Sequence, residues 1–147
     1  MFKHILIPTD GSPVAQKAVK AGLKLAKALG AKVTGYIAIE PIPPQVYGEG
    51  YMLNKAMMKE FDLVARKGAE KYMVTMSKVA AAAGVEFIPL ITKAETPYEG
   101  IIEAAKKQKC DAIFMASHGR RGIEAIIIGS VTHKVLTHSK LPVLVYR

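Results

Sequence analysis

The sequence has no tryptophan, a single cysteine and few aromatic residues. Its core must therefore be aliphatic, built from Ile, Val, Leu, Ala and Met. Cys110 cannot form an internal disulfide, so burial alone must close the core, and a reducing compartment is expected: the chain reads as cytoplasmic. No apolar run approaches the roughly 18 residues that cross a bilayer. The apolar part of residues 1–8 is too short for a signal peptide and lacks a small-residue cleavage site. No membrane partner is expected on these grounds.

Other absences narrow the chemistry. There is no G-x-x-x-x-G-K-[ST] and no G-x-G-x-x-G after the first strand, which disfavours a P-loop enzyme or a dinucleotide-binding domain. His133 and His138 are five apart and diverge by about 140° on a helix, so they do not form a helical metal pair. With one cysteine and scattered histidines, no structural zinc is expected.

What the chain does have is length enough, at 147 residues, for one core, and a formal net charge of +9. Such a charge points to phosphate-bearing partners: nucleotides, nucleic acid or an anionic membrane. Lys17, Lys20, Lys24 and Lys27 recur at helical spacing and read as the wet face of a helix. A nucleic-acid stripe is disfavoured, because no aromatics interleave with them to stack bases.

Periodicity and punctuation give the element order. Residues 3–8 read as a buried strand. Ser12 is a good N-cap and Pro13 suits the first helical position. Val14, Ala18, Ala21, Leu25 and Leu29 follow at helical spacing up to Gly30. A second strand spans 32–39, a loop 40–50, and a long helix about 51–83. That helix has an apolar face of Met52, Ala56, Leu63, Ala69, Tyr72, Met73, Met76, Val79 and Ala83, with Gly68 as a possible bend. Strand 85–91 carries Pro89 and so belongs at a sheet edge. Thr96-Pro97-Tyr98-Glu99 reads as a capping box. A strand at 111–116, a helix at about 130–138 and a strand at 142–146 complete an alternating β-α order. The fold class is α/β: one domain over residues 1–147, with one open parallel sheet and helices on both faces. Ligands bind such sheets at the carboxyl ends of the strands, where the strand order reverses. That directs attention to residues 8–12, to Ile37 and to the segment after Ala116.

The segment 116–130 is the most informative. Gly119 and Gly122 allow close backbone approach, and Gly129-Ser130 precedes a helix whose free N–H groups suit an anion. Ser130 can either offer its hydroxyl to a phosphate or cap the helix; the local sequence leaves both open. Arg120 and Arg121 can pair with phosphate or face solvent. His118 reads as structural or solvent-facing, since Ser117-His118 adjacency does not make a nucleophile–base pair.

Over its full length the sequence resembles the universal stress protein family. The resemblance rests on Ile5-Leu6-Ile7-Pro8-Thr9-Asp10-Gly11-Ser12, on Ser117-His118-Gly119-Arg120-Arg121-Gly122, and on Gly129-Ser130-Val131 with Leu141-Pro142-Val143-Leu144-Val145. It implies a five-stranded parallel sheet of order 3-2-1-4-5, Rossmann-like and similar to the adenine nucleotide alpha hydrolases. The nucleotide-binding branch of the family looks like G-x2-G-x9-G-[ST]. That pattern maps onto Ala116-x2-Gly119-x9-Gly129-Ser130, with alanine at the first glycine. The resemblance implies ATP or AMP as ligand, with Mg2+ if ATP. Asp10 would meet the ribose hydroxyls or help hold the metal. The Ile37 backbone would meet adenine, and Pro8 and Thr9 would shape the pocket floor. Gly119 would face the phosphates, and Gly129 N–H, Ser130 and Val131 N–H would grip them. It also implies a homodimer through residues 142–146 and a stress or energy-sensing role acting on unidentified protein partners. No general base is evident, so at most slow ATP hydrolysis is expected. The rival reading, which Ala116 favours, is a dimeric interaction protein that works without nucleotide. An adenylyl-transferring enzyme is disfavoured, because neither a H-x-G-H signature nor a Ser-Gly-Gly loop is present.

Overall fold

The computed structural model describes residues 1–41, 55–119 and 128–147. In chain order the elements are β1 (His4–Pro8), α1 (Pro13–Leu29), β2 (Lys32–Ile39), α2 (Lys55–Ala83), β3 (Phe87–Lys93), α3 (Pro97–Lys107), β4 (Ala112–Ala116), α4 (Ser130–His138) and β5 (Val143–Tyr146). The strands form one parallel sheet of order β3-β2-β1-β4-β5. The Pro89 strand is at an edge, where its missing N–H costs no ladder bond.

The first helix follows its sequence signals. The Ser12 hydroxyl accepts from Ala15 N at 3.2 Å, Pro13 opens the helix, and Gly30 at φ 65° closes it. Opposite faces of the sheet hold two cores. Ile5, Ile7, Val33, Phe114 and Ala116 pack against α1 and α2, through Val19, Leu23, Met73 and Met76. Leu6, Tyr36, Ile113 and Met115 pack against α3 and α4, through Ile101, Ala104 and Val135. The strict alternation along β1 and β4 is the two-residue period of a strand buried on both faces.

Three local expectations change. The third strand begins at Phe87 rather than Val85, because Val85 N donates to Ala80 O and the buried Val85 side chain closes the end of α2 behind Gly84. Thr96 is the N-cap of α3 but caps no backbone amide; its hydroxyl donates to the Glu99 carboxylate instead. The apolar face of α2 is buried only in its second half, at Ala69, Met73, Met76 and Ala80. Leu63 and Val79 are exposed and Ala56 lies on the surface. A helix of 29 residues is about 44 Å long, whereas the 8-residue β2 spans about 26 Å, so the first half of α2 overhangs the sheet. Met52 lies outside the described residues.

At the amino ends of the strands, the His4 imidazole is buried and hydrogen-bonds the Thr34 hydroxyl at 2.8 Å, with Cys110 close to the same hydroxyl. Burial, reinforced by Lys32, lowers the His4 pKa from its ordinary 6.5, against the opposing pull of Asp111 and Glu86. Burial pushes the Cys110 thiol up to about 11, so it stays protonated and unreactive. The unfolded chain takes up a proton on His4 near its ordinary pKa, and the folded chain only at lower pH. Stability should therefore be lost as the pH falls from about 6.5 towards the lowered value, and be flat above it. Urea midpoints between neutral pH and pH values below 6 check this. The slope should flatten in His4→Gln, which keeps a partner for Thr34 but cannot titrate.

Candidate functional site

The strand order reverses between β1 and β4, so the two chain segments leaving their carboxyl ends diverge to opposite faces and open a crevice. The first segment is Thr9 to Ser12. Thr9 N donates to Tyr36 O at 2.9 Å and continues the ladder one residue past β1. Gly11 N donates to Thr9 Oγ1 at 3.1 Å and Ser12 N to Asp10 Oδ1 at 2.9 Å. These two side chains hold the turn by the local hydrogen bonds that favour Thr and Asp there. Gly11, at φ 77°, supplies the left-handed residue.

The second segment leaves β4 at Ala116. Ser117 N donates to Tyr146 O at 2.8 Å, and the Ala116 carbonyl accepts the Thr132 hydroxyl at 2.9 Å. Gly129 N donates to Ser117 O at 2.7 Å. These bonds dock the start of α4 against the end of β4. Two glycines let the backbones close. A Cβ on Gly129 would sit 3.1 Å from His118 Cα, and one on Gly119 would sit 2.5 Å from Asp10 Oδ2. Asp10, Gly119, His118 and Gly129 thus form one continuous contact from β1 to α4.

Gly129, not Ser130, is the N-cap of α4, and no side chain caps that end. Ser130 is the first helical residue. The first intrahelical bond runs from His133 N to Gly129 O, leaving the amides of Ser130, Val131 and Thr132 in the turn that has no intrahelical acceptor. The expectation that Gly129 N–H faces a ligand is corrected, since it is spent on Ser117 O. The Ala116 methyl is buried in the core on the α1–α2 side. Ile37 lies one residue past the Pro8–Tyr36 pair, pairs with Ile91, and rests its side chain on the same core. Arg120, Arg121 and Gly122 lie outside the described residues. His118 Nδ1 hydrogen-bonds Ser117 Oγ at 3.0 Å, a pairing the sequence did not suggest, but Ser117 is 1% exposed and unreachable as a nucleophile.

One site residue was missed. Tyr72, read only as part of an apolar helix face, brings its half-buried phenol to the Thr9 side chain near Asp10. Burial and the Asp10 charge raise its pKa above the ordinary 10.0, with the Thr9 hydrogen bond opposing them. The signal available was a lone phenol on an otherwise aliphatic stripe, since buried tyrosine hydroxyls require partners. Among the described residues no group of three or more His, Cys, Asp and Glu could hold a metal ion.

The site can offer a carboxylate, two hydroxyls and an uncapped helix turn to a ligand combining hydroxyl and anionic groups. Comparison with known proteins identifies the family and the fold. The model of the universal stress protein family matches residues 1–147. Universal stress protein MJ0531 of Methanocaldococcus jannaschii is 29% identical over 150 residues, covering 100% of this chain and 83% of its own. The solved structure of hypothetical protein MJ0577 from the same organism superposes with a TM-score of 0.80 at 29% identity, covering 99% of this chain and 95% of its own. A universal stress protein crystallised in complex with cAMP superposes at a TM-score of 0.73 and 22% identity, covering 99% and 97%.

The glycine contact makes a stability prediction independent of any ligand. Gly119→Ala should push the Asp10 carboxylate off its turn and cost about 1–3 kcal/mol in urea denaturation. Faster amide exchange at Ser12 would accompany the loss.

Proposed function

Because the chain belongs to the universal stress protein family, we propose that it binds an adenine nucleotide, ATP or AMP, in the crevice between β1 and β4, and reports stress or energy state to protein partners. The observation that carries this reading is the uncapped first turn of α4, docked at Gly129 against the Ser117–His118 backbone, whose next residue, Gly119, touches the Asp10 carboxylate. Free first-turn amides and the helix dipole favour a phosphate, while a carboxylate favours sugar hydroxyls. The universal stress protein that was solved with cAMP shares the fold, and its ligand supports the ligand class proposed here.

In this reading the amides of Ser130 and Val131, with the Ser130 hydroxyl, take the phosphates. Gly129 contributes by having no side chain, and Gly119 by keeping the loop close to Asp10. Asp10 accepts from the ribose, and the Ile37 main chain meets the adenine edge. Pro8 and Thr9 form the floor, with the Tyr72 phenol holding Thr9. His118 belongs to the same segment, and Arg120, Arg121 and Gly122, which the family resemblance adds to the site, lie outside the described residues. For a Mg2+ accompanying ATP, Asp10 is the carboxylate at hand among the described residues, and the phosphates would supply further ligands. The edge strand β5 offers Val143–Tyr146 for antiparallel pairing in a cytoplasmic homodimer, which would also cover its unpaired backbone groups. The rival reading, a nucleotide-independent interaction protein, draws on one observation: Gly129 N–H is already engaged.

Titration calorimetry with ATP and AMP decides between them. Binding with a dissociation constant below about 1 mM is expected, and none at that concentration would reject the nucleotide reading. Ser130→Ala and Asp10→Asn should each weaken binding by about tenfold, the loss of one charge-assisted hydrogen bond. Ala116→Gly should leave affinity unchanged, because the methyl is spent in the core, while lowering stability by about 1 kcal/mol.

A further inference from the structure

The excess of positive charge is not spread evenly over the molecule. The helix α1 carries Lys17, Lys20, Lys24 and Lys27 and no acidic residue. All four are exposed and, at spacings of three, four and three, fall within about 80° of helix arc. On α2 the buried line Ala69, Met73, Met76 and Ala80 has an opposite ridge, and that ridge reads Val64, Lys67, Lys71, Val74, Lys78. Its valines are 65% and 54% exposed. Glu60 is the acid on that line; Glu70 lies off it, paired with Arg66 at 3.0 Å. None of the seven ridge lysines enters an ion pair among the described residues. The other layer mixes its charges: α3 sets Glu99 and Glu103 against Lys106 and Lys107, and α4 adds Lys134.

Both lysine ridges belong to helices packed on one sheet face and against each other. Each helix returns antiparallel to the strands it joins, so the two run parallel, about 8–10 Å apart. They form a flat face with ridges about 15 and 21 Å long. At its end, between the carboxyl ends of α1 and α2, a cleft of about 340 Å³ adds Lys3 and Lys32 beside Lys27, with Glu86 opposite.

We propose that this α1–α2 face docks on an anionic lipid bilayer. Three features choose a bilayer over nucleic acid. A DNA major groove admits one helix, whereas two parallel helices present a plane. The ridges hold lysine, a point charge suited to diffuse headgroups, and neither arginine for forked phosphate contacts nor aromatics for base stacking. Val64 and Val74 gain nothing against a phosphodiester chain but can enter the headgroup–acyl boundary between the lysines. The expectation of no membrane partner rested on the lack of a spanning segment. No described helix is long and apolar enough to cross a membrane, and surface docking requires none.

Sedimentation of the full chain with vesicles tests the proposal. Binding is expected to vesicles of phosphatidylcholine mixed with phosphatidylglycerol, to fall steeply with added salt, and to be absent with phosphatidylcholine alone. The triple variant Lys20→Gln, Lys24→Gln, Lys71→Gln should bind about a hundredfold more weakly, each lysine near the surface counting for about fivefold. The triple variant Lys106→Gln, Lys107→Gln, Lys134→Gln removes equal charge from the α3–α4 layer and should bind as the parent does. Val64→Ser with Val74→Ser should weaken binding without changing its salt slope. Circular dichroism melts confirm that each variant folds. Absence of binding to the anionic vesicles at low salt, equal losses in the two lysine variants, or an unchanged valine variant would overturn the proposal. So would tighter binding to polyuridylate or duplex DNA under the same conditions.

Discussion

Parallel pairing of β1 on both of its edges is the constraint on which the rest of the molecule depends. Its five residues are buried, with β2 hydrogen-bonded on one side and β4 on the other. A strand so placed has no face left for water, which is why Ile5 and Ile7 serve one core and Leu6 the other. It also fixes where the chain must cross. The crossover from β1 to β2 carries α1 over one face, while α3 and α4 cover the other. The crevice between β1 and β4 is a consequence of that divergence, not a separate construction.

What lies in the crevice follows from how closely three pieces of backbone approach. Gly119 touches Asp10, and Gly129 touches His118. The bonds from Gly129 N to Ser117 O and from Thr132 to Ala116 O hold α4 at the end of β4. The cost is that Gly129 N–H is spent on Ser117 O; the gain is that the next amides of the helix are held in a fixed place at the end of β4. Preorganised amides lose little freedom when they meet an anion, which makes a rigid helix start a better receptor than a mobile loop. Tyr72 adds a strut from α2 to Thr9, linking the far helix layer to the same turn.

The two helix layers differ in chemistry although they pack on the sheet alike. The α3–α4 layer mixes its charges and sets the Tyr98 and His138 rings against each other at a tilt of 46°, with Lys134 over the Tyr98 ring. The α1–α2 layer segregates lysine outward and keeps apolar residues inward. The site at the carboxyl ends of the strands and the basic face along the helices are therefore separate surfaces.

Much of this was legible along the chain. Ser12, Pro13 and Gly30 bound α1 because caps act over a few residues, and such local hydrogen bonds need no tertiary partner. The α/β alternation, the edge position of Pro89 and the glycine spacing at 119 and 129 were legible for the same reason: each is a backbone requirement written into residue type. Contacts between distant segments were not. Whether Ser130 or Gly129 capped α4 depended on Ser117, twelve residues upstream of Gly129, and whether Leu63 was buried depended on how far the sheet reached. Tyr72 meets Thr9, and His4 meets Thr34, only because the sheet and its helix layers bring them together. The sequence by itself determined the elements, the caps of α1 and the turn chemistry at β1, since these are decided within a few bonds of each residue. Tertiary structure alone decided which amides stay free, which methionines and valines reach water, and which lysines share a face, because those depend on what the folded sheet covers.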